Sequence, residues 1–276
     1  MTSSQSPLAD TETATRLPGL LVTPAWLAEH LDRPDLRLID VRPADAFAES
    51  HLPRAAHLEL SEISAPVDNV AGMLLSPDAF AAVAGRLGID DDSAVIVYDA
   101  NWGMAAARVL WSLQVYGHSR VAVLNGGWDR WLEAGYPTAT QTMPVPSARF
   151  APRFTPDLLV ELAWVQDHLN RDDVVLVDTR AAGEYAAGHL PGAVSWDWLR
   201  GVPVGAWEAV RDDPALRDEL VAAGITPDKE IVTYCRSGVR AAHTYLLLRH
   251  LGYSRVRNYD GSWLEWSYRV LGLTHA

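Results

Sequence analysis

The chain has 276 residues, of which 49% are apolar and 9% aromatic, and its formal charge at pH 7 is −12. This composition suits one large or two smaller globular domains and excludes a disordered or fibrous chain. The excess of acidic residues argues against nucleic-acid binding. No apolar run reaches the ~20 residues that a membrane span needs. The one cysteine, Cys235, excludes an intramolecular disulfide, a cysteine-rich zinc site and a redox cysteine pair.

The chain begins with a polar segment, residues 1–18, that has neither a basic start nor an apolar stretch. A secretion signal needs both features. We therefore expect a short flexible leader on a cytoplasmic protein that has no membrane partner.

Further along the chain, short runs rich in Val and Ile alternate with amphipathic stretches. The clearest predicted strands are 36–41, 94–98, 174–178 and 231–234, and the clearest predicted helices are 103–116 and 239–251. Nearly continuous apolar strands are typical of a parallel sheet that is buried on both faces. The alternation predicts an α/β fold of mainly parallel sheets flanked by helices.

Motifs of the first half of the chain return in the second half. The segment that begins at Asp40 and ends at Pro53 returns 138 residues later as 178–191, with Asp, Arg, His, Leu and Pro at matching positions. Repetition at this spacing indicates two copies of one domain. We expect a leader at 1–18, a first copy at 19–140, a linker at 141–153 and a second copy at 154–276.

Cys235 lies between a predicted strand and a predicted helix of the second copy. The loop that follows it carries Arg236, Ser237, Gly238, Val239 and Arg240. Ligands of open α/β sheets bind at such strand ends. Gly238 permits a turn in which successive N–H groups form an anion site at the positive helix end. This site and the two arginines favour the thiolate form of Cys235 and an anionic substrate.

The alternative is that Cys235 is a small buried hydrophobic residue, as lone cysteines often are. A buried inert cysteine has no need of an arginine at each end of its loop. The first copy has Asp99 at the corresponding position and no arginine before Arg108. The sequence therefore predicts one reactive copy and one inactive copy.

Asp178 and Arg180 follow a predicted buried strand, and Asp40 and Arg42 repeat the pattern in the copy that lacks cysteine. This repetition favours a structural ion pair over a catalytic one. We predict a supporting role for Asp178 and Arg180, in which Asp178 could also brace Arg236.

These motifs resemble the tandem-domain rhodaneses, which include thiosulfate and 3-mercaptopyruvate sulfurtransferases. The resemblance covers about residues 20–270, and its most specific parts are CRSGVRAAHT from Cys235, GHLPGA at 188–193 and YDGSWLEW at 259–266. It implies that the second copy alone is catalytic. The Cys235 thiolate would take sulfur from a small anionic donor as a persulfide and pass it to an external thiol or cyanide. The resemblance implies no cofactor and no metal.

The loop also bears on the choice of sulfur donor. Mercaptopyruvate-using rhodaneses usually have glycine after the cysteine and threonine at the loop end, where this chain has Arg236 and Arg240. Two guanidinium groups suit the thiosulfate dianion better than a monocarboxylate. We therefore expect thiosulfate, with 3-mercaptopyruvate as the alternative. Glu184 stands where thiosulfate-using members have a further arginine, and Arg240 could replace that cation.

Two other classes of function are weaker alternatives. Some dual-specificity phosphatases share this fold, but they need an arginine after five residues that follow the cysteine. Here Ala241 holds that position, and Arg240 comes one residue too early. A non-catalytic binding module would suit a second copy without a cysteine.

Overall fold

The computed structural model describes residues 16–274, so most of the predicted leader lies outside the described residues. Within 16–274, no helix is long and apolar enough to cross a membrane. The same residues contain no cluster of three or more His, Cys, Asp or Glu side chains that could hold a metal ion.

The first copy alternates strands with helices. Its strands are β1 (Leu21–Val22), β2 (Leu36–Asp40), β3 (Ala55–His57), β4 (Ser64–Val67), β5 (Val70–Leu74), β6 (Ala94–Tyr98) and β7 (Val121–Leu124). Its helices are α1 (Pro24–His30), α2 (Ala44–Glu49), α3 (Pro77–Arg86), α4 (Met104–Val115) and α5 (Gly127–Glu133).

The second copy repeats this alternation. Its strands are β8 (Leu159–Val160), β9 (Val174–Asp178), β10 (Val194–Ser195), β11 (Glu230–Tyr234) and β12 (Val256–Tyr259). Its helices are α6 (Leu162–Asp167), α7 (Ala182–Ala186), α8 (Pro214–Ala222), α9 (Val239–His250) and α10 (Ser262–Arg269).

Each copy is built on a five-stranded sheet in which every pair of neighbouring strands is parallel. The strand order is β1-β7-β6-β2-β3 in the first copy and β8-β12-β11-β9-β10 in the second, so the two topologies are the same. The predicted strands and helices are confirmed, with each end within one residue of its predicted position. In both sheets the central strand, β6 or β11, leads into the loop that carries Asp99 or Cys235.

The two copies meet where α4 packs against α9. In α4, the residues from 106 to 113 are all buried, and in α9 the residues from 241 to 248 are all buried. A helix that is buried all round must have packing partners on every side. Each of these helices therefore packs on its own sheet and on the other copy.

Each copy also extends an insertion over the other copy. The hairpin of β4 and β5 reaches the second copy, where the Leu74 N–H donates to an Asp260 carboxylate oxygen at 2.7 Å. In return, the Ala209 N–H donates to the Asn125 side-chain oxygen of the first copy at 2.8 Å. Because Asn125 and Asp260 are the same position of the repeat, the two contacts are reciprocal.

The segment that joins the copies, residues 142–155, contains no helix or strand. Its backbone is held on the first copy: Ala148 N–H donates to the Gly85 carbonyl at 2.9 Å, and Arg153 N–H donates to the Tyr116 carbonyl at 2.9 Å. Phe150 is buried edge-on against Phe80. The domain and linker boundaries given above stay predictions.

The packing of this segment predicts the cost of a methyl group at Gly117. A Cβ there would lie 2.6 Å from the Arg153 carbonyl oxygen, and Gly117 has φ +86°. We expect Gly117→Ala to lower the free energy of unfolding by about 2–4 kcal/mol, from backbone strain and from the clash. The control is Gly135→Ala, with φ +72° and nothing within 4 Å, which we expect to cost about 1–2 kcal/mol. Equal losses in chemical denaturation would contradict the clash.

Candidate active site

Cys235 directly follows the central strand β11, and it is 1% exposed. Its N–H donates to the Ser262 hydroxyl at 3.2 Å, and its carbonyl accepts the Trp263 N–H at 3.0 Å. The next carbonyl, that of Arg236, accepts the Leu264 N–H at 3.0 Å. The start of α10 therefore fixes the backbone on both sides of the thiol.

The loop that contains the thiol, residues 235–240 and called the Cys235 loop here, turns into α9 at Gly238. This glycine has φ +80° and is the N-cap of α9. Its carbonyl accepts a hydrogen bond from the Asn258 side-chain amide at 3.0 Å. A Cβ at this position would lie 2.6 Å from an Arg108 side-chain nitrogen, so glycine is required for both conformation and space.

The loop of the first copy shows what this backbone turn can bind. Gly103 has φ +75° and begins α4 as Gly238 begins α9. The Asp99 carboxylate accepts hydrogen bonds from four backbone N–H groups, those of Asn101, Gly103, Ala105 and Ala106, at 2.8–3.0 Å. The turn before the helix is therefore an anion site, and in the first copy the chain's own carboxylate fills it.

The two arginines of the Cys235 loop have different surroundings. Arg236 is exposed and has no ion pair with any residue from 16 to 274. Arg240 donates to both Glu184 carboxylate oxygens, at 2.6 and 2.9 Å. This hydrogen bonding holds the pKa of Glu184 below its usual 4.5 and raises the pKa of Arg240. The loop therefore offers one unpaired cation and one that is already shared.

Asp178 and Arg180 form a buried ion pair. The Arg180 guanidinium donates to the Asp178 carboxylate at 2.6 Å and to the Gly188 carbonyl at 2.6 Å, and it lies over the Trp263 ring. Arg42 and Asp40 make the same 2.6 Å pair in the first copy, with the guanidinium over Trp128. The pair is therefore a structural element of both copies.

The idea that Asp178 braces Arg236 is wrong. The Asp178 carboxylate accepts hydrogen bonds from the Arg180 backbone and side chain, and it makes no contact with Arg236 in the described structure. The reason is steric: Arg180 is two residues away and reaches the carboxylate with two nitrogens, while Arg236 extends outward into solvent.

A small hollow of about 220 Å³ lies on the outer side of the Cys235 loop. It is lined by Arg180, Glu184, Ala187, Arg236, Trp263 and Leu264. This volume suits a small molecule of a few heavy atoms. The hollow brings Arg236 and Arg180 to one opening, although Arg180 is already paired.

Sequence reasoning missed two residues of this site and the partner of a third. Ser262, whose hydroxyl accepts the Cys235 N–H, and Asn258, which holds the Gly238 carbonyl, both lie near the end of β12. The YDGSWLEW motif pointed to this region but not to these contacts. Glu184 was recognised as an unusual residue, yet its pairing with Arg240 spans 56 positions and has no local signal.

A repeated α/β domain with one thiol at the end of a central strand defines a tandem protein whose two copies differ at that strand end. The sequence profile described as "Rhodanese-like domain" matches residues 23–134 and 161–269. The chain therefore belongs to the rhodanese family.

Several named relatives match nearly the whole chain. A thiosulfate sulfurtransferase of Pseudomonas aeruginosa is 34% identical over 90% of this chain and 93% of its own length. The sulfur carrier protein TtuD of Thermus thermophilus is 32% identical over 90% and 94%. The crystal structure of SseA from Escherichia coli, which has the rhodanese fold, superposes on this chain with a TM-score of 0.81 at 29% identity. The match covers 88% of this chain and 98% of SseA.

The Asp99 carboxylate gives a prediction about stability. Asp99→Ala leaves buried amides at the start of α4 without an acceptor, so we expect the free energy of unfolding to fall by about 3 kcal/mol. The control is Asp45→Ala, since the exposed Asp45 carboxylate accepts one N–H, that of Ala46. We expect the control to change stability by about 0.5 kcal/mol or less. Similar losses for both variants in urea titrations would refute the role given to Asp99.

Proposed function

We propose that this chain is a thiosulfate sulfurtransferase that carries the transferred sulfur as a persulfide on Cys235. The observation that carries the proposal is the pair of matching turns: one holds a carboxylate on four amides, and the other presents a thiol at the same strand end. An anion site next to a thiol favours both the thiolate and a negatively charged donor. The relative from Pseudomonas aeruginosa bears this activity in its name.

The reaction would proceed in two displacements. The Cys235 thiolate attacks the outer sulfur of thiosulfate, a new S–S bond forms, and sulfite leaves with the electron pair of the old S–S bond. An acceptor, cyanide or a thiol, then attacks the outer sulfur of the persulfide and releases the Cys235 thiolate. The first step needs no general base, because the Cys235 nucleophile is already an anion, and the second needs none when the acceptor attacks as cyanide or a thiolate.

The loop amides and Arg236 would stabilise the charge that moves during both steps. Donors fixed by the fold before the reaction need no reorganisation when the anion develops. The α10 contacts to the backbone of Cys235 and Arg236 hold these donors in place. This arrangement accounts for a positively charged loop in a protein of formal charge −12.

3-Mercaptopyruvate is the second candidate donor, and a specific observation favours it. The Glu184 carboxylate neutralises Arg240, so a donor meets one unpaired cation instead of the two expected from sequence. A single cation suits a monoanion at least as well as a dianion. The relatives from Escherichia coli that carry this activity in their name are 29% identical to this chain.

The acceptor must come from outside the chain. Cys235 is the one cysteine, so no second thiol can take the sulfur internally. We propose a cyanide or small-thiol acceptor and a cytoplasmic location, where free thiols are kept reduced.

Intact mass spectrometry tests the covalent step. After mixing with thiosulfate, we expect the protein to gain the mass of one sulfur atom and to lose it again when cyanide is added. Cys235→Ser removes the nucleophile, so this variant should gain no sulfur and show no transfer above background. The thermal stability of the variant serves as the folding control. Sulfur transfer by the Cys235→Ser variant at the rate of the wild type would contradict the mechanism.

The Glu184–Arg240 pair tests the choice of donor. In Glu184→Gln the carboxylate charge is gone, and Arg240 becomes available to a substrate. We expect kcat/KM for thiosulfate to rise about tenfold and that for 3-mercaptopyruvate about threefold, because the dianion gains more. Since the pKa of Glu184 is lowered, its charge persists above 4.5 and is lost only as the pH falls through the lower value, so the effect should be constant across the neutral range.

The control for Glu184→Gln is Glu133→Gln, which removes the same charge from an exposed pair with Arg130 in the first copy. Neither donor should respond to this change. Equal gains for both donors in Glu184→Gln would show that the pair does not select between them.

A further inference from the structure

Arg108 belongs to the copy without cysteine, yet its side chain lies beneath the Cys235 loop. It is 2% exposed, and one terminal nitrogen donates to the Asp260 carboxylate at 2.7 Å and to the Gly72 carbonyl at 3.1 Å. The guanidinium also lies over the Trp111 ring. A residue of α4 therefore forms a buried ion pair with the segment that precedes α10.

The other terminal nitrogen of Arg108, Nη1, has no hydrogen-bond partner among the described residues, although it is buried. It lies 2.6 Å from the position that a Cβ on Gly238 would take, whereas the nearest Asp260 carboxylate oxygen lies 3.4 Å from that position. The positive end of the ion pair is therefore the end closer to the Cys235 loop. A buried unpaired donor is costly, so its retention needs an explanation.

The repeat supplies a comparison within the same molecule. His243 lies one turn into α9, at the position that Arg108 holds in α4. Its Nε2 contacts the Ala209 carbonyl beside the start of α4. Burial lowers the pKa of His243, so the ring is neutral. Asn125 takes the place of Asp260. Two neutral side chains, each hydrogen-bonded to the Ala209 backbone and called the neutral pair here, thus fill the corresponding position under the loop that carries Asp99.

The neutral pair shows that this place in the fold can be filled without buried charge. Burying an ion pair brings a desolvation cost that apolar or neutral groups avoid. The charged pair occurs under the loop with the thiol, and its cation faces that loop. The asymmetry follows the chemistry of the two loops and not the packing.

We propose that Arg108 of the first copy is a positioning residue for Cys235, whose buried guanidinium supports the turn at Gly238 and supplies positive charge beneath the thiolate and persulfide. The copy without cysteine would in this way take part in catalysis. The proposal rests on the function proposed for Cys235. It assigns to the first copy a contribution to the site of the second copy.

The other charged groups around the Cys235 loop are mostly paired. They are Arg236 and Arg240 of the loop, Glu184 of α7, Asp178 and Arg180 after β9, Asp260 before α10, and Glu265 and Arg269 of α10. Arg240 pairs with Glu184, Arg180 with Asp178, and Arg269 with Glu265. Removing Arg108 therefore leaves the Asp260 carboxylate as a new uncompensated charge near the thiol.

The test measures the rate of Cys235 alkylation by iodoacetamide as a function of pH, followed by intact mass. The single cysteine makes the product unambiguous, and no sulfur donor is involved, so the result is independent of whether thiosulfate is the substrate. In Arg108→Gln we expect the pH midpoint to rise by about one unit, and in Arg108→Lys, which keeps the charge, by much less. In Asp260→Asn the midpoint should fall, because Arg108 loses its counter-charge.

The matched control is Arg42→Gln, which breaks a buried ion pair of the first copy. The Arg42 guanidinium contacts Asp40 and the Ser50 carbonyl, which both belong to the first copy and not to the Cys235 loop. This variant should lose stability as Arg108→Gln does but keep the wild-type midpoint. In parallel, the rate of persulfide formation should fall about tenfold in Arg108→Gln at a pH well below the wild-type midpoint, where a one-unit shift changes the thiolate fraction tenfold. A folded Arg108→Gln protein with the wild-type midpoint would overturn the proposal.

A second variant covers the case in which Arg108→Gln does not fold. Arg108→His combined with Asp260→Asn copies the neutral pair that the molecule already uses under the other loop. Because Nη1 is the charge nearer to Gly238, we expect the alkylation midpoint of this double variant to rise, although by less than one unit. A midpoint equal to that of the wild type would also overturn the proposal. If the wild-type protein formed no persulfide while the alkylation midpoints of the variants still shifted as expected, the result would count against the proposed function alone.

Discussion

The first turn of a helix leaves amide hydrogens without partners inside the helix, and this constraint shapes both copies of the domain. In the first copy the Asp99 carboxylate accepts hydrogen bonds from two of these amides, those of Ala105 and Ala106, and from two more in the loop before the helix. In the second copy the residue at the same strand end is a cysteine, which is a poor acceptor until it ionises. A glycine turn before a helix therefore gives a closed loop in one copy and a loop suited to a passing anion in the other.

The copies are coupled by an exchange of parts at this position. The hairpin and Arg108 of the first copy support the turn of the second, and the segment around Ala209 with His243 supports the turn of the first. The exchange supports two turns of different length, residues 99–103 and 235–238, at the same place in each copy. It also lets the charges around the two turns differ, because each turn is supported by residues of the other copy.

Much of this organisation could be predicted from sequence, because it is written in local patterns. Continuous Val and Ile runs gave the central strands, Gly238 gave the turn, and the repeat gave the equivalence of Asp99 and Cys235. The pairing of Arg108 with Asp260 joins residues 152 positions apart in different copies, and no periodicity reports it. The pairing of Arg240 with Glu184 could not be predicted for a similar reason: the direction in which α7 presents Glu184 depends on how that helix packs.

The continuous burial of α4 and α9 affects how the molecule loses its structure. Each helix has no face that tolerates water, so separating the copies would expose apolar surface from both at once. We therefore expect heating to melt the two copies in one cooperative step, so that a sequence duplicated as two modules would behave, in thermodynamic terms, as a single folding unit.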